Sequence, residues 1–277
     1  MVADAVSLLR AVQIAAAPRF TITRTLDEGG QGAVFEGTCD GAPAAVKLFH
    51  PGTEKRRIER ELALLTAITC PTLVRFLGHT TLSVLQHEIG LIAYEYLPTG
   101  DLRTLQPEQT PASCETILAV AADVSAAIHA LWRQRIVHRD IKPANILRHN
   151  DGRFVLADVG LARHLDLSDV TGVGYAPGTQ GFMSPEQARG RRRLTVHSDT
   201  FALGVTLYWL ASGVHPFAFN QQAINEGMVP TSLLSRRPDL PAPLVRAIDG
   251  MLAFQPDARI SIGSIFRELR DRNVCST

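Results

Sequence analysis

The chain has 277 residues, and 28 Lys and Arg against 27 Asp and Glu leave a formal net charge of +1. At about 150 residues per domain this allows one large domain or two lobes with a sizeable core, and it excludes a mini-protein stapled by disulfides. The balanced charge supplies no long-range field for nucleic acid or an anionic membrane, and the 45% apolar, 20% charged composition excludes disorder for the bulk.

The N-terminus, MVADAVSLLRAVQIAAAPRF, lacks a basic stretch followed by an uninterrupted apolar one, because Asp4 and Arg10 break the pattern. It reads as a short amphipathic helix ended by Pro18. The longest mostly apolar run, residues 201–214, is shorter than the roughly 20 residues a spanning helix needs, so no membrane span is expected. Cys39, Cys70, Cys114 and Cys275 form no CxxC pair and have no His at metal spacing. Neither a disulfide framework nor a zinc site is expected, and a reducing, cytoplasmic location fits.

Residues 19–96 read mostly as strands: RFTITRTL, AVFEGTC and AAVKLFH, with a Gly cluster between the first two. After them TEKRRIERELALLTAI places Ile58, Leu62, Leu65 and Ile68 at three- and four-residue steps, which predicts an amphipathic helix. Beyond LPTGDL the pattern turns helical: ETILAVAADVSAAIHALW, SDTFALGVTLYWLASG, APLVRAIDGML and SIGSIFRELRDR. A lobe boundary is expected at 97–100, where Pro and Gly punctuate the chain. The expectation is an α+β fold, a small antiparallel sheet with one helix followed by a larger, mainly helical part.

Within LDEGGQGAV, Gly29, Gly30 and Gly32 sit between two strands, where a missing Cβ lets backbone N–H groups approach phosphate oxygens. A Gly-rich hairpin is more often just a tight turn. Lys47, in AAVK on the third strand, lies between apolar neighbours and calls for a carboxylate. Glu61 on the helix is the first candidate, with Glu54 and Glu59 as rivals. The stretch IVHRDIKPANIL, residues 136–147, followed by LADVGLA, brings together Asp140, Lys142, Asn145 and Asp158. That set holds one carboxylate to orient a hydroxyl, one cation for a transferring phosphoryl group and two hard oxygen ligands.

With HRDIKPAN in order between VK upstream and ADVG downstream, the chain resembles the eukaryotic-like (Hanks-type) protein serine/threonine kinases, in motif wording most like the bacterial members. The resemblance spans residues 19–272. It implies a bilobal protein-kinase fold with residues 1–18 as a helical extension, 19–96 as the N-terminal lobe and 97–277 as the C-terminal lobe. It further implies transfer of the ATP γ-phosphate to Ser/Thr hydroxyls of proteins, including the chain itself by self-association. Lys47 would hold the α and β phosphates and pair with Glu61. Asp140 would orient the substrate hydroxyl, with Lys142 near the γ-phosphate and Thr179 bonded to Asp140, while Asn145 and Asp158 would hold Mg²⁺. Leu26, Gly29, Gly30, Gly32, Val34, Ala45, Lys47, Glu95, Leu97 and Leu147 would line the nucleotide site, with Tyr94 at its rear. In GTQGFMSPEQARG, the substrate-docking stretch, Glu186 would pair with Arg259, and Asp199 would anchor the catalytic loop. Thr171 is the first choice among Ser168, Thr171, Tyr175 and Thr179 for a regulatory phosphate, with Arg139 as its cation.

Two positions depart from the family pattern. Asp27 stands where the first loop glycine is usual, and Val159 stands in place of the Phe of DFG. They motivate the competing reading of a pseudokinase or nucleotide-responsive scaffold. The run RGRRR, residues 189–193, reads as a solvated loop.

Overall fold

Alternation of apolar and polar residues sets the faces of the N-terminal sheet. The computed structural model describes residues 5–29, 32–106, 109–159, 162–164, 178–191 and 193–265. The chain divides into two compact units, Met1–Thr69 with Val74–Pro98, and Cys70–Leu73 with Thr99–Thr277.

The first unit runs α1 (Ala5–Ala16), β1 (Phe20–Gly29), β2 (Gly32–Cys39), β3 (Ala42–Phe49), α2 (Lys55–Ala67), β4 (Phe76–Val84) and β5 (His87–Glu95). The five strands form one antiparallel sheet in the order β1-β2-β3-β5-β4. Asp40 and Gly41, both at positive φ, make the two-residue turn between β2 and β3. On one face Phe20, Ile22, Phe35, Cys39, Ala44, Val46, Leu91 and Ala93 form a core that Val12 and Ala16 of α1 close. On the other face Val34 stands opposite Lys47, Lys47 opposite Ile92, and Ala45 opposite Tyr94.

Helix α2 lies against that second face. A Cβ on Gly90 would come within 2.6 Å of Ile58 Cδ1, so the missing side chain is what lets the helix seat on β5. The buried positions of α2 are Ile58, Glu61 and Leu64, whereas Leu62 and Leu65 are half-buried. The helix is therefore rotated from the stripe predicted by apolar spacing. The cause is Glu61, a charged side chain drawn inward by Lys47.

The second unit begins with α3 (Leu102–Leu105) and α4 (Cys114–Arg133). Ser113 caps α4, accepting from Thr116 N–H, and Glu115 and Arg133 complement the helix dipole at its two ends. By length and composition α4 is apolar enough to cross a bilayer, although charged and polar residues interrupt its apolar ones. Half of its apolar window is buried within the unit, and Ile117, Ala121, Val124 and Ile128 follow the period of a core-facing stripe. Next come β6 (Ile136–Val137), a 3₁₀ turn at Pro143–Asn145, β7 (Ile146–Arg148), β8 (Phe154–Leu156) and β9 (Arg163–His164). β6 pairs with β9 and β7 with β8, both antiparallel.

Helices α5 (Pro185–Ala188), α6 (Val196–Ser212), α7 (Gln221–Asn225), α8 (Leu233–Arg236) and α9 (Ala242–Met251) complete the unit. α6 is buried almost throughout, with Ser198, Asp199, Thr200 and Thr206 among its buried residues, and ends on Gly213 at φ 72°. The α+β expectation is borne out. The helix expected over 261–272 is described only to residue 265. Cys39 and Cys70 are free thiols, and Cys275 lies outside the described residues.

Candidate active site

In the first unit the antiparallel register puts Val34, Ala45, Lys47, Ile92 and Tyr94 on one face, and α2 lowers Glu61 onto it. Lys47 Nζ donates to Glu61 Oε1 at 2.9 Å and Oε2 at 3.1 Å, with both residues buried. The rivals Glu54 and Glu59 stay exposed. Lys47 also lies over the Phe49 ring, 5.1 Å from its centroid, so its desolvated ammonium meets charge and π density together. The hydroxyl of Tyr94 donates to Glu61 Oε1 at 2.5 Å.

The hairpin glycines lie at the end of the same sheet. Gly29 pairs with Gly32, Asp27 is exposed opposite Val34, and Leu26 is partly exposed beside a register shift. Gly30 lies outside the described residues. Gly32 has φ 142°, and a Cβ there would stand 2.1 Å from the Leu48 carbonyl oxygen. Glu95 donates its N–H to Arg75 O at 2.9 Å and accepts Arg75 N–H on its side chain, and Leu97 is buried just beyond β5.

In the second unit the loop between β6 and β7 is fixed from below by Asp199 of α6. Asp140 is 5% exposed and surrounded by donors. Its Oδ1 accepts Thr179 N–H at 3.0 Å and Thr179 Oγ1–H at 2.7 Å. Its Oδ2 accepts Asn145 Nδ2–H at 3.0 Å and Lys142 Nζ at 2.9 Å. Lys142 also donates to Thr179 Oγ1 at 2.7 Å, so one ammonium links the two sides of the cluster.

The β7–β8 hairpin places Asn145 and Asp158 together. Ile146 pairs with Leu156, and Ala157 N–H donates to Asn145 O at 2.8 Å, leaving Asp158 one residue further on at φ 58°. Leu147 follows on β7, bridged to Asp101, whose carboxylate caps α3. His138 is buried, with Nε2 3.1 Å from Ala157 O, and Val159 is 5% exposed. Arg139 is buried at φ 72°, while Ser168, Thr171 and Tyr175 lie outside the described residues.

Behind the docking stretch Arg259 Nη1 and Nη2 donate to Glu186 Oε1 and Oε2 at 2.7 and 2.9 Å. Two supports were not legible in the sequence. Gln187 donates to Arg139 O at 2.7 Å, and Ser198 Oγ donates to Glu186 Oε1 at 2.8 Å. Both lie in quoted stretches, GTQGFMSPEQARG and SDTFALGVTLYWLASG, but neither stretch says which partner they meet. Arg189, Arg191 and Arg193 are exposed, and Arg189 stacks over Phe254; Arg192 lies outside the described residues.

A five-stranded sheet with a buried Lys–Glu pair, and a helical unit with a carboxylate held in a loop before an Asn and Asp on a short hairpin, define the class of the protein kinases. The family model described as protein kinase domain matches residues 20–269, and the chain belongs to that family. A probable serine/threonine-protein kinase of Arabidopsis thaliana is 33% identical over 72% of this chain and 54% of its own length. One of Clostridium perfringens is 28% identical over 72% of this chain and 29% of its own, and the serine/threonine-protein kinase AfsK of Streptomyces griseus is 31% identical over 72% and 25%. The chain thus spans about half or less of these relatives.

Proposed function

We propose that the chain is a protein serine/threonine kinase, transferring the ATP γ-phosphoryl group to Ser/Thr hydroxyls of cytoplasmic proteins and of a second copy of itself. The observation that carries this reading is the Asp140 cluster. An ionised carboxylate has about four lone-pair sites, and Thr179, Asn145 and Lys142 supply four donors. Its orientation is therefore set before substrate arrives. Lys142 is the donor free to exchange: when its ammonium moves to the transferring phosphoryl group, a lone pair opens for the substrate O–H. The hydroxyl oxygen then forms the new bond to phosphorus, the bond to the β-phosphate oxygen breaks, and the hydroxyl proton is directed to Asp140.

Lys47, held by Glu61, would bind the α and β phosphates. Asn145 turns its amide N–H₂ toward Asp140 and so keeps its carbonyl oxygen for another partner. With the Asp158 carboxylate it offers the all-oxygen donor set that suits Mg²⁺. Bound there, the ion would neutralise phosphate charge as the leaving group departs. The scaffold reading has less support, because none of Lys47, Glu61, Asp140, Asn145 and Asp158 is replaced.

The test is phosphotransfer to a basic carrier protein with labelled ATP and Mg²⁺. Wild type should transfer, and Asp140→Asn should lose about 10²–10⁴-fold in rate while still binding ATP. Equal rates for the two proteins would overturn the reading.

A further inference from the structure

Glu61 is 3% exposed, and a carboxylate so far from water requires every lone pair to find a donor. Lys47 supplies two contacts from a single ammonium, which leaves the carboxylate able to turn about its own axis. The third donor is the Tyr94 hydroxyl. At 2.5 Å from Oε1 it has the length of a charge-assisted O–H···O⁻ bond, and Tyr94 is itself buried. Its position follows from register. Tyr94 and Ile92 of β5 stand opposite Ala45 and Lys47 of β3, so the phenol rises from the same face as the lysine, across from a residue that carries only a methyl group.

We propose that Tyr94 is a positioning residue for the reaction: its O–H, donated to Glu61 Oε1, locks the carboxylate in the plane that receives Lys47 and thereby sets the affinity for the ATP phosphates. The proposal rests on the kinase reading, since it assigns Lys47 to those phosphates. A tyrosine here does more than wall off the end of β5. It ties the Lys47–Glu61 pair into a network in which loss of the hydroxyl removes one of the donors to Oε1.

The experiment compares wild type, Tyr94→Phe, Glu61→Gln and the double variant. Each is measured for binding of ATP with Mg²⁺ by calorimetry, for phosphotransfer and for melting temperature. Tyr94→Phe keeps the ring and removes only the hydroxyl. It should weaken ATP binding and lower kcat/KM for ATP by about tenfold, with KM for the protein substrate unchanged. In the Glu61→Gln background the same substitution should have less than a twofold effect, because the partner through which Tyr94 acts is gone. A Tyr94→Phe protein with wild-type ATP affinity overturns the proposal. So does one whose loss is the same in both backgrounds and tracks a fall in melting temperature, since that is the signature of packing alone. If wild type binds ATP but transfers no phosphate, the kinase reading fails while the binding comparison still decides the role of Tyr94. If wild type does not bind ATP, both fall.

Discussion

The carboxylate of Asp199 accepts the backbone N–H of His138 at 2.8 Å and that of Arg139 at 2.9 Å. Two successive amides on one carboxylate fix the path of the chain just before Asp140, and they let Arg139 hold φ 72°, a conformation costly for a residue with a Cβ. Burial pushes the Asp199 carboxyl upward, against the lowering influence of His138, Arg139 and their amides. Asp199→Asn replaces one acceptor oxygen with an N–H₂ that faces a donor. It should cost about 1–3 kcal/mol of stability, and phosphotransfer should fall well beyond that loss. Urea unfolding and hydrogen exchange of the His138 and Arg139 amides check this; unchanged protection would show that Asp199 does not hold the loop.

The Glu186–Arg259 pair gives a stability prediction. Burial acts to raise the Glu186 carboxyl, but the hydrogen bonds and charge of Arg259, with Ser198, outweigh it and hold the group below the usual carboxylate range. A depressed folded value means stability that is present above the ordinary glutamate range and lost as pH falls through the folded value. Arg259→Met leaves Glu186 buried without its cation and should cost about 3–5 kcal/mol near neutral pH. Denaturation midpoints of the variant should show a smaller loss on acidification than those of wild type.

His215 predicts a second acid sensitivity. Burial lowers it to about 4, against the smaller raising effect of the Gly181 carbonyl. Its Nδ1 accepts the N–H of Phe217 at 3.1 Å and of Phe219 at 3.0 Å, so a proton arriving there would face two donors. Nε2, 3.1 Å from Gly181 O, carries the hydrogen. Because the unfolded chain protonates first, stability should fall by up to roughly 3 kcal/mol between the ordinary histidine value near 6.5 and pH 4. His215→Phe should be less stable at neutral pH yet flatter across this window, as read by thermal melts in a buffer series.

Two glycines separate local strain from a steric block. At Gly41, φ 81°, an added Cβ meets nothing within 4 Å, so Gly41→Ala should cost about 1 kcal/mol from backbone strain alone. At Gly32 the Cβ would collide with Leu48 O on the neighbouring strand, so β2 and β3 must separate next to Lys47. Gly32→Ala should lower ATP affinity as well as stability. If calorimetry shows equal ATP affinity for the two variants, the hairpin has no role in holding phosphate.

The class of fold was legible in local sequence patterns, and so were the residues proposed to carry the chemistry. Period-two runs marked β1 to β3, three- and four-residue steps marked the long helices, and HRDIKPAN with VK and ADVG marked Lys47, Asp140, Lys142, Asn145 and Asp158, because these are local patterns of residue type and spacing. Pairing across distance was less legible. That Glu61 meets Lys47 while Glu54 and Glu59 do not depends on the rotation of α2, which packing at Gly90 and the buried charge decide together. Tyr94 reaches Glu61 only because β5 lies beside β3 in one register, and a slip by one residue would turn its hydroxyl to the opposite face. The Gln187 contact with Arg139 O joins segments 48 residues apart, and the Ser198 contact with Glu186 joins the start of α6 to α5. No local rule encodes them, since each depends on distances that exist only once the helices and strands have packed.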